Sequence, residues 1–145
     1  MKMNWIKELQ STEWKGNGEL WLDPGGNQAD HYECSLLIQS DKIQYSWTRD
    51  GETKKGEYIF SKGGATWTDS WHQPDSVPCD AVADAWGFFT VFHSYKVPSN
   101  PNWGWRSKLS QRPSGELVLQ MTNITPWGEE GRAVRMIFTQ VKHNP

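Results

Sequence analysis

Long apolar runs are missing from this chain. None approaches the roughly 20 residues that a membrane-crossing helix needs. The opening MKMNWIKELQ also lacks the apolar core of a signal peptide. The expectation is a cytoplasmic protein that engages no membrane. A charge excess of one sign is missing too: 15 Lys and Arg stand against 17 Asp and Glu. Lys54-Lys55 and Glu129-Glu130 are isolated pairs that read as solvated turn charges. A basic face that tracks phosphates is therefore excluded, and nucleic acid is not an expected partner. Cysteine is scarce. Cys34 and Cys79 have no CxxC spacing; one disulfide between them is an open alternative, but without a secretion signal they are expected to stay thiols. Cys34 alternates with Tyr32, Leu36 and Ile38 and reads as a small core residue, whereas Cys79 falls in a Pro-flanked stretch read as loop. The four histidines are scattered, so no metal site is expected, and no motif asks for a cofactor. Internal repeats, low-complexity runs and a G-x-S-x-G elbow are absent.

What the chain has is tryptophan, 10 in 145 residues: Trp5, Trp14, Trp21, Trp47, Trp67, Trp71, Trp86, Trp103, Trp105 and Trp127. Indole is bulky and flat, with one N–H that needs a partner. Nearly all these residues lie in short alternating segments between turn signals, and such spacing is that of an all-β domain. The turn signals are Asp23-Pro24-Gly25-Gly26, Ser40-Asp41, Asp50-Gly51, Lys62-Gly63-Gly64, Pro98-Ser99-Asn100-Pro101, Pro113-Ser114-Gly115 and Pro126-Trp127-Gly128. Between them the pattern predicts strands at about 13–22, 31–39, 42–49, 55–61, 65–72, 87–96, 103–110, 116–124 and 132–141. A short helix from Asn4 to Gln10 buries Trp5, Ile6 and Leu9, and a single helical turn is read over Asp80–Ala85. The stretch Gln73–Pro78 reads as the longest loop. One domain over 1–145 follows from the length. Strands joined by short loops favour an antiparallel up-and-down β-barrel, which removes its own edges by closing; a sandwich or jelly roll is the alternative.

Period-two alternation gives the inward faces. Ile43, Tyr45 and Trp47 share one, as do Ala65, Trp67, Asp69 and Trp71, then Trp103, Trp105, Ser107 and Leu109, and Leu117, Leu119, Met121 and Asn123. Segment 87–96 is apolar on both faces, Phe88 and Phe92 against Phe89, Val91, His93 and Tyr95, so its orientation stays open. Polar residues on apolar faces carry the chemistry: Asp69, Asn123 and His93. Each is either a satisfied structural group or a polar anchor in a cavity. His72, in Trp67-Thr68-Asp69-Ser70-Trp71-His72-Gln73-Pro74-Asp75, could act as a general base. A regular strand, however, places it on the face opposite Asp69, and no Ser-His-Asp triad follows from the spacing.

Trp14-Lys15-Gly16-Asn17-Gly18-Glu19-Leu20-Trp21 resembles the opening strand of lipocalin-like, calycin-type barrels, in which a short N-terminal helix leads into a Trp/Gly strand. Trp105-Arg106, a Gly turn, Leu117-Val118-Leu119 and a closing strand are similar to a group of bacterial proteins of this kind. The resemblance is architectural and covers most of the chain. It implies an up-and-down barrel with an interior cavity for a small, mostly apolar molecule, and it implies no catalytic residue.

Three functions compete. The first is a binding barrel for a small hydrophobic or aromatic ligand, lined by Tyr45, Trp47, Trp67, Trp71, Trp105 and Met121 with Asp69 and Asn123 as orienting groups. The second is a small isomerase, lyase or hydrolase on the same barrel, with Asp69, His72 or His93 as acid or base. The third is a carbohydrate-binding module that stacks exposed indoles on sugars; indoles on the apolar strand faces disfavour it. A barrel whose indoles only fill the interior is the bland counterpart, and both a monomer and a homodimer are compatible with the sequence.

Overall fold

The computed structural model describes residues 4–23, 27–83 and 85–142. Helix α1 (Asn4–Leu9) is followed by ten strands: β1 (Thr12–Trp21), β2 (Ala29–Ile38), β3 (Lys42–Arg49), β4 (Glu52–Ser61), β5 (Gly64–Asp69), β6 (Gln73–Ala81), β7 (Phe89–Tyr95), β8 (Trp103–Gln111), β9 (Leu117–Ile124) and β10 (Glu130–Gln140). Each strand pairs antiparallel with its neighbours in sequence, and β1 returns to β10, closing an up-and-down barrel. Tight hairpins make this topology. Asp50 and Gly51 both take positive φ (51° and 76°), the backbone twist that a two-residue hairpin requires. The closing pair runs in register from Trp14↔Gln140 to Leu20↔Val134. It needs Gly16, because a Cβ there would run into the Ile137 carbonyl.

The alternation is realised as expected in β3, where Ile43, Tyr45 and Trp47 are all buried. In β7 the inward face is Phe89, Val91, His93 and Tyr95, which shares the barrel interior with its cross-strand partners on β8. Its outward Phe92 covers Gly104 of β8, where a Cβ would meet the ring. That contact explains why this strand is apolar on both sides. Helix α1 closes one end of the barrel: Trp5 stacks on Phe88 with centroids 5.1 Å apart and meets Phe60 edge-on at 5.5 Å. The ends of β1, β3, β5, β7 and β9 lie at the opposite end, the mouth.

The sequence reading of nine strands is corrected to ten. Gln73–Ala81 forms β6 where a loop and a helical turn were expected, and Cys79 is buried within it. The pairing explains why this strand tolerates proline. Ala81 N donates to Gly63 O and Val82 N to Thr90 O, so even-numbered positions near this end direct their nitrogens toward β7. Pro78 therefore turns its missing N–H to the side facing β7. There β6 and β7 pair only at Asp80↔Phe92 and Ala81↔Val91. Beyond those two rungs the strands part toward the mouth. Residues 24–26 of the first expected turn, Asp84 of the expected helical turn, and His143 lie outside the described residues. Among the described residues no helix is long and apolar enough to cross a membrane.

Candidate functional site

Strand β5 delivers Asp69 to the mouth and ends there. Its Oδ1 accepts the backbone N–H groups of Trp71 (2.8 Å) and His72 (2.9 Å). Its Oδ2 accepts the Tyr45 hydroxyl (2.5 Å), and the Tyr45 oxygen in turn accepts Trp67 Nε1–H (3.0 Å). Asp69 is 1% exposed, and a carboxylate at that depth is tolerable because donors surround it. Burial, with Tyr58 and Asp69 nearby, pushes the Tyr45 phenol well above its ordinary range.

The Asp69 hydrogen bonds reverse the chain, and two expectations change. His72 does not lie opposite Asp69 as a continued strand would place it. It folds back over the barrel with Nδ1 3.7 Å from Asp69 Oδ1 and its ring 5.0 Å from Trp105. Trp71 does not point inward. It is 43% exposed, meets Trp47 edge-on at 5.7 Å and lies beneath the cations of Arg49 (5.1 Å) and Lys54 (5.5 Å).

Below this turn is a cavity of about 210 Å³ lined by Trp67, His72, Gln73, His93, Tyr95, Trp105 and Asn123. Trp67 and Trp105 stack against each other at 5.4 Å, forming one continuous aromatic wall. Across it Tyr95 donates its hydroxyl to Asn123 Oδ1 at 2.7 Å. That bond uses the Asn123 oxygen and leaves its amide N–H groups free of it. Two buried polar atoms on the lining have no partner, Trp105 Nε1 and His72 Nδ1. Burial holds both histidines below the ordinary imidazole value; beside His72 the Asp69 charge opposes part of that shift. Among the described residues no Lys or Arg lines the cavity. It lies where β6 and β7 part, with Gln73 on one strand and His93 and Tyr95 on the other.

Of the residues expected to line a ligand site, Trp67, Trp105 and Asn123 reach this cavity, together with the acid/base candidates His72 and His93. Asp69 lies behind His72, and Tyr45 lies beside Trp67. Trp47 packs on Tyr32 at 5.0 Å, and Met121 is fully buried in the core. Gln73 and Tyr95 were not singled out from the sequence. Tyr95 had a signal, its shared face with His93; Gln73 had none, because its strand read as loop.

Two larger hollows differ in chemistry. One of about 570 Å³ lies on the outer face of β1–β5, where Ser35 and Ser46, and Gln44 and Glu57, already bond to one another. The other, about 730 Å³, sits at the closed end between α1 and the β6–β7 connection and is lined mainly by Ala, Gly and Phe; its Trp5 also carries a buried Nε1–H without a partner, but no stacked indole pair or acid/base candidate joins it there. Among the described residues no group of three or more His, Cys, Asp and Glu could hold a metal ion. No model of a known protein family matches the chain, and no curated protein matches it.

Proposed function

We propose that this barrel binds a small, mostly apolar molecule in the mouth cavity, as a lipocalin-like binding protein. One observation carries the reading: an indole wall, Trp67 against Trp105, bears a buried N–H on Trp105 that has no partner within the protein. Buried donors in folded proteins are nearly always satisfied, and an acceptor on a guest would satisfy this one, beside a stacked indole pair and the Asn123 amide. Apolar walls with a few convergent polar groups are the usual anatomy of a ligand pocket. At about 210 Å³ the cavity is smaller than the roughly 300–1,000 Å³ of drug-sized sites, which suits a guest built on a single ring.

An acid–base enzyme is the second reading, favoured by His72 and His93 facing one cavity with Asp69 behind His72. It requires the His72–Asp69 contact to shorten from 3.7 Å to hydrogen-bond distance when substrate binds. The proposal is tested by native mass spectrometry of freshly purified protein, paired with fluorescence titration of wild type and Trp67→Phe using single-ring aromatics. A co-purifying small molecule, and quenching weakened in the variant, are expected. No bound species and no quenching with any compound would reject the binding reading.

A further inference from the structure

We infer that the mouth cavity selects a neutral ring carrying a hydrogen-bond acceptor, such as a carbonyl or amide oxygen, and rejects the corresponding carboxylate. The inference rests on the binding reading above and names the ligand class. Trp105 supplies its geometric basis. The residue is 7% exposed and lines the cavity, and its Nε1–H is unpartnered and closed off from solvent, so an acceptor reaches it as the lining adjusts around the guest. An indole N–H only donates, so the atom that completes it must be an acceptor. Asn123, whose oxygen already accepts from Tyr95, adds further donors beside it.

Charge decides between acceptors. A carboxylate would accept from Trp105 at least as well as a neutral carbonyl, but its full charge must give up part of its hydration against the indole wall without a cation on the lining to pair with. Among the described residues no Lys or Arg lines the cavity, and the guanidinium of β8, Arg106, bonds to Glu130 at 3.1 Å. The Asp69 carboxylate lies directly behind His72 and repels an anion, and the two cations at the same turn, Arg49 and Lys54, sit over Trp71 and are already paired with Asp30 and Glu52. Neutral amides and ketones avoid both penalties. A ring without an acceptor fills the same volume and leaves the indole N–H empty.

Benzamide, benzoate and toluene separate these possibilities, because they share one ring and differ at one substituent. Indole N–H resonances of labelled protein are followed at pH 8, with the Trp105 and Trp67 signals assigned from Trp105→Phe and Trp67→Phe. Benzamide is expected to move the Trp105 signal downfield and to bind at least tenfold tighter than benzoate. Trp105→Phe keeps an aromatic wall but removes the donor. It should weaken benzamide about three- to tenfold and leave toluene within about twofold, with the remaining indole signals confirming the fold. Benzoate binding as tightly as benzamide overturns the charge selection. Equal loss of benzamide and toluene in Trp105→Phe overturns the acceptor role. Either result leaves the cavity as a binding site. If none of the three moves the Trp67 or Trp105 signals, the binding reading fails and this inference with it.

Discussion

Replacing Asp69 by Asn keeps an oxygen for the N–H groups of Trp71 and His72 but turns an NH₂ toward the Tyr45 hydroxyl. The Tyr45 oxygen already accepts from Trp67 at 3.0 Å, and its proton is given to Asp69 at 2.5 Å. In Asp69→Asn that proton loses its acceptor in a layer where Tyr45 and Trp67 are both buried. A buried donor left unmatched costs about 1–3 kcal/mol. Tyr45→Phe breaks the same chain from the other side, stranding the Trp67 N–H and Asp69 Oδ2, and should cost a similar amount. For a domain of this size each kcal/mol lowers Tm by about 2–4 °C, so each variant should melt roughly 2–12 °C below wild type. The double variant should lose about 1 kcal/mol less than the two single losses combined, because each mutation breaks the bond the other needs. Urea unfolding followed by far-ultraviolet circular dichroism measures this, provided the m-value stays constant. Single variants within about 0.5 kcal/mol of wild type, or strict additivity in the cycle, would refute the linkage from Trp67 through Tyr45 to Asp69.

Trp67→Ala should cost about 3–5 kcal/mol, whereas Trp71→Ala should stay within about 1 kcal/mol, since Trp67 is buried and Trp71 is 43% exposed; equal urea midpoints would show that the turn at Asp69 is misplaced. His72 and His93 are held below the ordinary 6.5 by burial. The unfolded chain therefore takes up protons first, and stability is full above the ordinary value and falls as pH drops through it toward the folded values. Melting scans from about pH 8 to about pH 5.5 should show this decline, and His72→Gln/His93→Gln should flatten it; a variant with the wild-type slope would assign the decline elsewhere. Burial pushes the Cys34 and Cys79 thiols up to about 12, so an aromatic disulfide reagent at mildly alkaline pH should label neither until denaturant is added. Rapid labelling of the native protein would contradict their placement.

Legibility in the sequence followed the regularity of pairing. Strand β3 is hydrogen-bonded on both sides along its length, and a one-residue slip would expose Tyr45 and Trp47, so its alternation is strict and its face was readable. Strand β6 lacks a partner on one side for most of its length, and its register against β5 slips between Trp67↔Val77 and Asp69↔Gln73. Without a full ladder its residues are not held to alternation, and Pro74 and Pro78 made it read as loop. The end of β5 was hidden for a different reason. The reversal depends on a side chain, Asp69, accepting N–H groups two and three residues on, and strand periodicity carries no trace of such a bond. Within the candidate site, Trp67, Trp105 and Asn123 came from alternation alone. The approach of His72 to Trp105 needed the turn, and the contribution of Gln73 needed β6.

The two-rung junction between β6 and β7 gives the barrel one weak stave. Everywhere else a strand is bound to its neighbour by at least five register pairs. Thermal breathing therefore concentrates at a single slit, because opening it breaks the fewest backbone hydrogen bonds. Amide hydrogens of 93–95 that face β6 should exchange with solvent well ahead of those in β1 and β10, even though all belong to one sheet. The slit runs beside the cavity wall, so a guest held there as proposed would lie against the least tightly paired part of the sheet.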